Sequence, residues 1–284
     1  MELSVLVGQF PITFDININL KNIISILDEA EIDDLVVLPE GALSGYSDDI
    51  SFLKNIDIHK LEHAIEKLKQ EVLNRKIHLI YGSCIFENGN WLNAGICHSY
   101  TGADFIYKKI NLAVHERGYF QAGNELSVCE LLIKNSIVHI GIQLCREIRF
   151  PEQWRWLALN GAEVFVYLTN AVGGSDIAVW RSHLVSRATE NLRFLISSNN
   201  ANKNQHCPTM LISPSGEIIE EIVSDRANVF RRKIELDKIS NWYINQCRND
   251  VVKLVKGNVD VKKQITGSKV EVNILNHMQL SNNK

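Results

Sequence analysis

The sequence predicts an α/β protein of mixed sheets covered by helices. Short, fully apolar runs alternate with amphipathic stretches at helical spacing, and hairpin signals interrupt that alternation. Alternation alone would suit a doubly wound parallel sheet; the hairpins require antiparallel pairs as well.

Residues 3–10 are an apolar first strand, and Leu20, Ile23, Ile24 and Leu27 form one face of a helix over 18–30. Leu35–Pro39 is a short buried strand. Ile58, Leu61, Ile65, Leu68 and Val72 make the stripe of a helix over 58–75, and 77–86 returns to strand. Residues 91–100, a Thr101-Gly102 turn and 104–110 read as a hairpin, and 126–133 and 136–144 as two more strands. Pro151 suits the first turn of a helix over 151–161. A strand at 163–169, a helix at 178–192 and a strand at 193–199 come next. A second hairpin over 209–222 turns at Ser213-Pro214-Ser215-Gly216, and a strand lies near 229–236. No internal repeat is visible. The chain divides into a domain over 1–237 and an extension over 238–284, richer in Lys and Asn, that packs on the domain or forms an oligomer arm.

Composition narrows the function. Net charge is −3, from 30 Lys+Arg against 33 Asp+Glu, so there is no bulk attraction to nucleic acid or an anionic membrane. No apolar run reaches the roughly 20 residues of a membrane span. The N-terminus lacks a basic segment before its apolar run, so a secretory signal is not expected. The 6 cysteines include no Cys-x-x-Cys and no Cys/His group at zinc spacing, which points to a cytoplasmic protein with reduced thiols and no metal.

Cys145 ends the apolar run Ile137–Leu144 and precedes a helix, which places it at the carboxyl end of a strand, where α/β sheets bind ligands. A helix N-terminus and free N–H groups there would favour a thiolate and an oxyanion; a core cysteine that happens to end a strand is the plainer alternative. Glu40, before Gly41 and just past another apolar strand, could be a general base with a pKa raised by burial, or a solvated loop carboxylate. Lys108 and Lys109 face opposite sides of their strand, so one at most points into a site.

Taken together, these segments resemble the nitrilase superfamily of carbon–nitrogen hydrolases. Leu38-Pro39-Glu40-Gly41 with Ser44-Gly45-Tyr46 resembles the family's glutamate motif, Tyr107-Lys108-Lys109-Ile110-Asn111-Leu112 its lysine motif, and Gly141 to Glu152 its cysteine motif. Glu116, Phe120 and Gly123 continue the lysine block. Arg155, Thr169-Asn170-Ala171, Trp180, Arg187 and Asn199 fit the family's helices and strands beyond the cysteine motif. The similarity spans roughly 3–237.

The resemblance implies a four-layer α-β-β-α sandwich, a homodimer or higher homo-oligomer, and catalysis with no cofactor. It implies that Cys145 is the nucleophile, Glu40 the general base, Lys109 the stabiliser of tetrahedral intermediates and Glu116 a second glutamate that helps orient substrate. The Arg146 N–H would complete an oxyanion hole, and Tyr46 and Asn170 would flank the substrate. Asn111 stands where many relatives have His and receives no role. Glu116 is present and the Trp-Glu that follows the cysteine of true nitrilases is absent. Hydrolysis of a small amide or N-carbamoyl compound is therefore favoured over nitrile hydrolysis. For the ω-amide of a dicarboxylate, Arg146, Arg149 or Arg181 would bind the distal carboxylate. A soluble acyltransferase using the same thioester, and an inactive binding protein on the same fold, are the rival readings.

Overall fold

Residues 1–102, 104–173 and 177–247 are described in a computed structural model of the chain. Two six-stranded sheets face each other. The first comprises β1 (Glu2–Gln9), β2 (Leu35–Val37), β3 (His78–Glu87), β4 (Asn90–Ser99), β5 (Phe105–Lys108) and, from the end of the fold, β12 (Asn228–Glu235). The second comprises β6 (Cys129–Ile133), β7 (Ser136–Leu144), β8 (Val164–Leu168), β9 (Phe194–Ser198), β10 (Thr209–Ile212) and β11 (Ile218–Ile222). Their orders are β12-β1-β2-β3-β4-β5 and β11-β10-β9-β8-β7-β6. Each has a parallel centre, β1/β2/β3 and β7/β8/β9, with antiparallel flanks. The mixed sheets that the sequence predicts are thus present twice.

Alternation of side chains sorts the layers. Val5, Val7, Leu35, Val37, Val164, Val166 and Leu168 point into the core between the sheets. Leu6, Val36 and Leu38 point outward, beneath α1 (Ile16–Leu27) and α2 (Ile58–Arg75). Phe165 and Tyr167 point outward on the second sheet, beneath α3 (Pro151–Leu159) and α4 (Ile177–Thr189). This is the four-layer α-β-β-α sandwich. Asp15 and Asp57 cap α1 and α2 by accepting from the N–H of Asn17 and Lys60, and Lys76 closes α2 in the left-handed region.

One element differs from expectation. A 3-10 turn, Cys145–Arg149, separates β7 from α3, so no helix N-terminus adjoins Cys145 directly. The reason is Pro151: it disfavours helical geometry at the residue before it, and Phe150 sits at φ −116 and ψ 83. The helix cannot extend back toward the cysteine.

The boundary expected at 237 falls within the 3-10 turn Leu236–Lys238, after which comes the short helix α5 (Trp242–Asn245). Arg193 holds this stretch, donating to Ser240 O at 2.7 Å and Asn241 Oδ1 at 2.5 Å. The remainder of the expected extension, 248–284, lies outside the described residues. Among the described residues no helix is long and apolar enough to cross a membrane.

Close approaches of backbone set the functional edge. Glu40 follows β2 and its turn crosses β3 at Gly82, where a Cβ would stand 2.4 Å from the Glu40 Cα and 2.8 Å from Pro39 O. Gly41, at φ +68, lets the chain reverse immediately after Glu40. We expect Gly82→Ala to destabilise the protein by about 1–3 kcal/mol, the usual cost of overpacking. Urea denaturation measures this, and stability equal to wild type would show that the turn yields freely.

Candidate active site

Glu40 follows β2 and Cys145 follows β7, so both leave the carboxyl ends of parallel strands, one in each facing sheet. Lys109 is the residue after β5, and its N–H bonds Asn93 O on β4 at 2.9 Å. Lys108 points outward and pairs with Glu87. Lys109 points inward and is 1% exposed. The lysine alternation read from the sequence therefore separates the two as expected.

The Lys109 ammonium lies 3.0 Å from Glu40 Oε1 and 2.9 Å from Glu116 Oε1, and both carboxylates are wholly buried. Asn93 donates its amide to the same two oxygens, at 2.8 Å each. Tyr46 donates its hydroxyl to Glu116 Oε1 at 2.7 Å, and its ring lies 5.7 Å from the Lys109 Nζ. The Ala113 N–H holds Glu116 Oε2, and the Asn170 N–H reaches Glu40 Oε2 at 3.1 Å. Asn170 therefore bonds to the glutamate itself, and its side chain also ties to Asn200 at 3.1 Å.

The electrostatics divide the two carboxylates. Burial raises Glu40 above the ordinary carboxylate range, and neighbouring Glu116 adds to this against the pull of Lys109. Burial also pushes Glu116 upward, but there Lys109, Asn93 and the Ala113 N–H prevail and hold it low. Lys109 is disfavoured by burial, yet the two carboxylates keep it firmly protonated. The Cys145 thiol is pushed up to about 12, first by burial and then by Glu40, with Lys109 and the Thr169 hydroxyl opposing. It is a protonated thiol at neutral pH.

Cys145 is the one residue of its turn at positive φ, +38, a strained geometry for a residue with a side chain. The turn is clamped from behind. Tyr167 donates to Cys145 O at 2.6 Å, Trp154 to Glu147 O at 3.0 Å and Arg187 to Ile148 O at 2.9 Å. The buried Glu147 carboxylate accepts from the N–H groups of Leu144, Ile110 and Asn111, at 2.8, 2.9 and 3.0 Å, and from the Tyr107 hydroxyl at 2.7 Å. It joins the cysteine turn to the segment that carries Lys109.

Arg146 and Arg149 are exposed, with Arg149 over the Trp180 ring at 5.5 Å, whereas Arg181 is engaged by Glu221. Sequence reasoning missed Asn93 and the clamping role of Glu147. The one available signal for Asn93 was a polar residue inside the apolar stretch Trp91–Cys97 of β4. Among the described residues no group of three or more His, Cys, Asp or Glu side chains could hold a metal ion.

Comparison with known proteins places this geometry in a family. Residues 5–244 match the carbon–nitrogen hydrolase family model. A probable nitrilase of Schizosaccharomyces pombe is 25% identical over 256 residues, 81% of this chain and 88% of that protein. An (R)-stereoselective amidase of a Pseudomonas species is 28% identical over 211 residues, 72% of this chain and 73% of that protein. The crystal structure of a Saccharomyces cerevisiae member of branch 10 of the nitrilase superfamily superposes with a TM-score of 0.73 at 19% identity, covering 93% of this chain and 96% of that one.

Lys109→Ala is expected to cost far more than Lys108→Ala. It leaves two buried carboxylates without their cation, a loss of about 3–5 kcal/mol when a buried pair is broken. Without Lys109 the folded-state pKa of Glu116 rises above its unfolded value, and that of Glu40, already above it, rises further. The folded state then binds more protons than the unfolded one near neutrality, so stability falls as pH rises. Urea unfolding of both variants between pH 5 and 8 checks this, and equal losses would mean that Lys109 is dispensable.

Proposed function

This chain belongs to the carbon–nitrogen hydrolase family, and from that premise we propose that it hydrolyses the C–N bond of a small linear amide or N-carbamoyl compound through a Cys145 thioester. The observation that carries the reading is the buried Lys109 ammonium held between two carboxylates whose pKa values are driven apart, beside a strained strand-end cysteine. Paired titratable groups of opposite tendency are the mark of assigned acid–base roles.

In this reading Glu40 takes the thiol proton as the sulfur attacks the carbonyl carbon, and the carbonyl electron pair moves to oxygen. An ammonium has three donors. Glu40 and Glu116 accept two from Lys109, which leaves one for the developing oxyanion, with the Arg146 N–H as a second donor. Protonated Glu40 then gives its proton to the leaving nitrogen, the C–N bond breaks, and ammonia or an amine departs. Water loses a proton to Glu40, attacks the thioester, and the S–C bond breaks to give the acid and the free thiol. Glu116, kept ionised, fixes Lys109 and Tyr46. Tyr46, Asn170 and the Arg146 side chain border the substrate. The reading extends to a cytoplasmic homo-oligomer whose domain ends near 237 and that acts on a small molecule. A net charge of −3, without bulk attraction to nucleic acid or membrane, supports the small-molecule part of it.

Cys145→Ala is expected to abolish turnover while leaving the melting temperature near wild type; residual activity close to wild type would remove Cys145 from the mechanism. Mass spectrometry of the protein exposed to a panel of amides, carbamoyl compounds and nitriles should show an acyl adduct on Cys145, and its mass identifies the acyl half. The pH profile is set by the shifts. Because Glu40 is raised, kcat/KM should fall with acid along a limb lying above the ordinary Glu pKa of about 4.3. Because the thiol sits at about 12, no alkaline gain from its ionisation should appear near neutrality. An acid limb at the ordinary value would count against Glu40 as the base.

A further inference from the structure

Sheet register sets Thr169 beside Cys145. Strands β7 and β8 run parallel with Leu144 opposite Leu168, so the next residues, Cys145 and Thr169, leave the sheet as neighbours. The Thr169 N–H bonds Ser198 O at 3.0 Å, which continues the strand pairing for one residue past β8. Its side chain is wholly buried, and its hydroxyl has no hydrogen-bond partner among the described residues. Buried polar groups are almost always paired, and one left open calls for an explanation.

The polar groups beside it are the Cys145 sulfur, whose ionisation the Thr169 hydroxyl favours, and the Tyr167 hydroxyl, which donates to Cys145 O at 2.6 Å and whose neutral oxygen can accept from Thr169. A neutral thiol is a weak acceptor. A thiolate is a strong one, because hydrogen bonds to charged acceptors are shorter and stronger. A hydroxyl waiting beside a resting thiol therefore gains its bond when negative charge reaches the sulfur. An interaction stronger in the transition state than in the ground state accelerates the step.

We propose that Thr169 is a further catalytic residue, its hydroxyl donating a hydrogen bond to the Cys145 sulfur once Glu40 has taken the thiol proton, and again as the S–C bond of the thioester breaks. The O–H bond of Thr169 stays intact throughout, and the proton taken and returned is the one held by Glu40. This rests on the reading of Cys145 as nucleophile. It adds a donor on the sulfur to the donors on the substrate oxygen.

The test compares the wild-type chain with Thr169→Val, Thr169→Ala and Thr169→Ser. Iodoacetamide alkylation of Cys145 is monitored by peptide-resolved mass spectrometry from pH 6 to 10, with kcat/KM measured on any amide that turns over. Peptide resolution separates Cys145 from the exposed Cys247. Loss of the hydroxyl should slow Cys145 alkylation about tenfold at fixed pH in both Thr169→Val and Thr169→Ala, the order expected for one charge-assisted bond. Thr169→Ser keeps the donor and should stay within about twofold of wild type. A purely structural threonine would instead lower the melting temperature and leave the alkylation profile unchanged. Wild-type alkylation rates in Thr169→Val and Thr169→Ala, or equal losses in Thr169→Ser, would overturn the proposal. Alkylation needs no substrate, so it judges the bond to sulfur separately. Failure of wild-type Cys145 to take up an acyl group would instead count against the nucleophile assignment.

Discussion

One buried cation governs this structure. Lys109 is 1% exposed and shares its ammonium between two carboxylates that have no access to water. Removing such charges from water costs several kcal/mol per ion, which only close geometry and additional hydrogen bonds offset. Asn93, Tyr46, Ala113 and Asn170 supply those bonds. With two carboxylates and one ammonium, the cluster cannot be neutral and fully ionised at once. The excess negative charge falls on the carboxylate with fewer compensating donors, and that is Glu40. Burial raises its pKa, and with fewer donors than Glu116 it stays raised where Glu116 is held low.

The sandwich sets this cluster and a cysteine from the other sheet at the carboxyl ends of the parallel strands. Each sheet has its parallel strands in the centre, so each presents carboxyl ends at an edge, and stacking brings the edges together. The approach demands small residues. Gly82 admits the Glu40 turn, and Gly123 passes so close to Lys108 that a Cβ would lie 2.1 Å from its carbonyl oxygen. The Gly123 N–H in turn bonds Lys109 O at 2.8 Å, fixing the backbone that carries the ammonium.

Most of the fold was legible because its signals are local. The stripe from Ile58 to Val72 gives α2 its observed bounds, Ile58–Arg75, and the two-residue period of a strand separates Lys108 from Lys109. The features that escaped depend on contacts through space. Asn93 looks like a defect in an apolar strand until Glu40 and Glu116 arrive from distant segments. Glu147 looks like a surface residue beside Arg146 until its carboxylate is seen to gather N–H groups from the cysteine turn and the lysine segment alike. Pro151 marks the start of α3 in the sequence as in the structure, but the 3-10 turn over Cys145–Arg149 has no apolar period of its own to reveal it.

That turn explains why a thiol at about 12 and a strained backbone belong together. A cysteine next to a helix N-terminus would ionise by itself. Here α3 begins six positions later, the turn's carbonyls are spent on Tyr167, Trp154 and Arg187, and Glu40 adds negative charge nearby. The sulfur therefore holds its proton at neutral pH. The cost of φ +38 at a residue with a side chain is met by the clamp behind it. A permanent thiolate would be exposed to oxidants and electrophiles between turnovers, since the thiolate is the reactive form. In the mechanism proposed above, coupling ionisation to Glu40 would restrict the reactive form to the moment when an acyl carbon is in place to receive the electron pair.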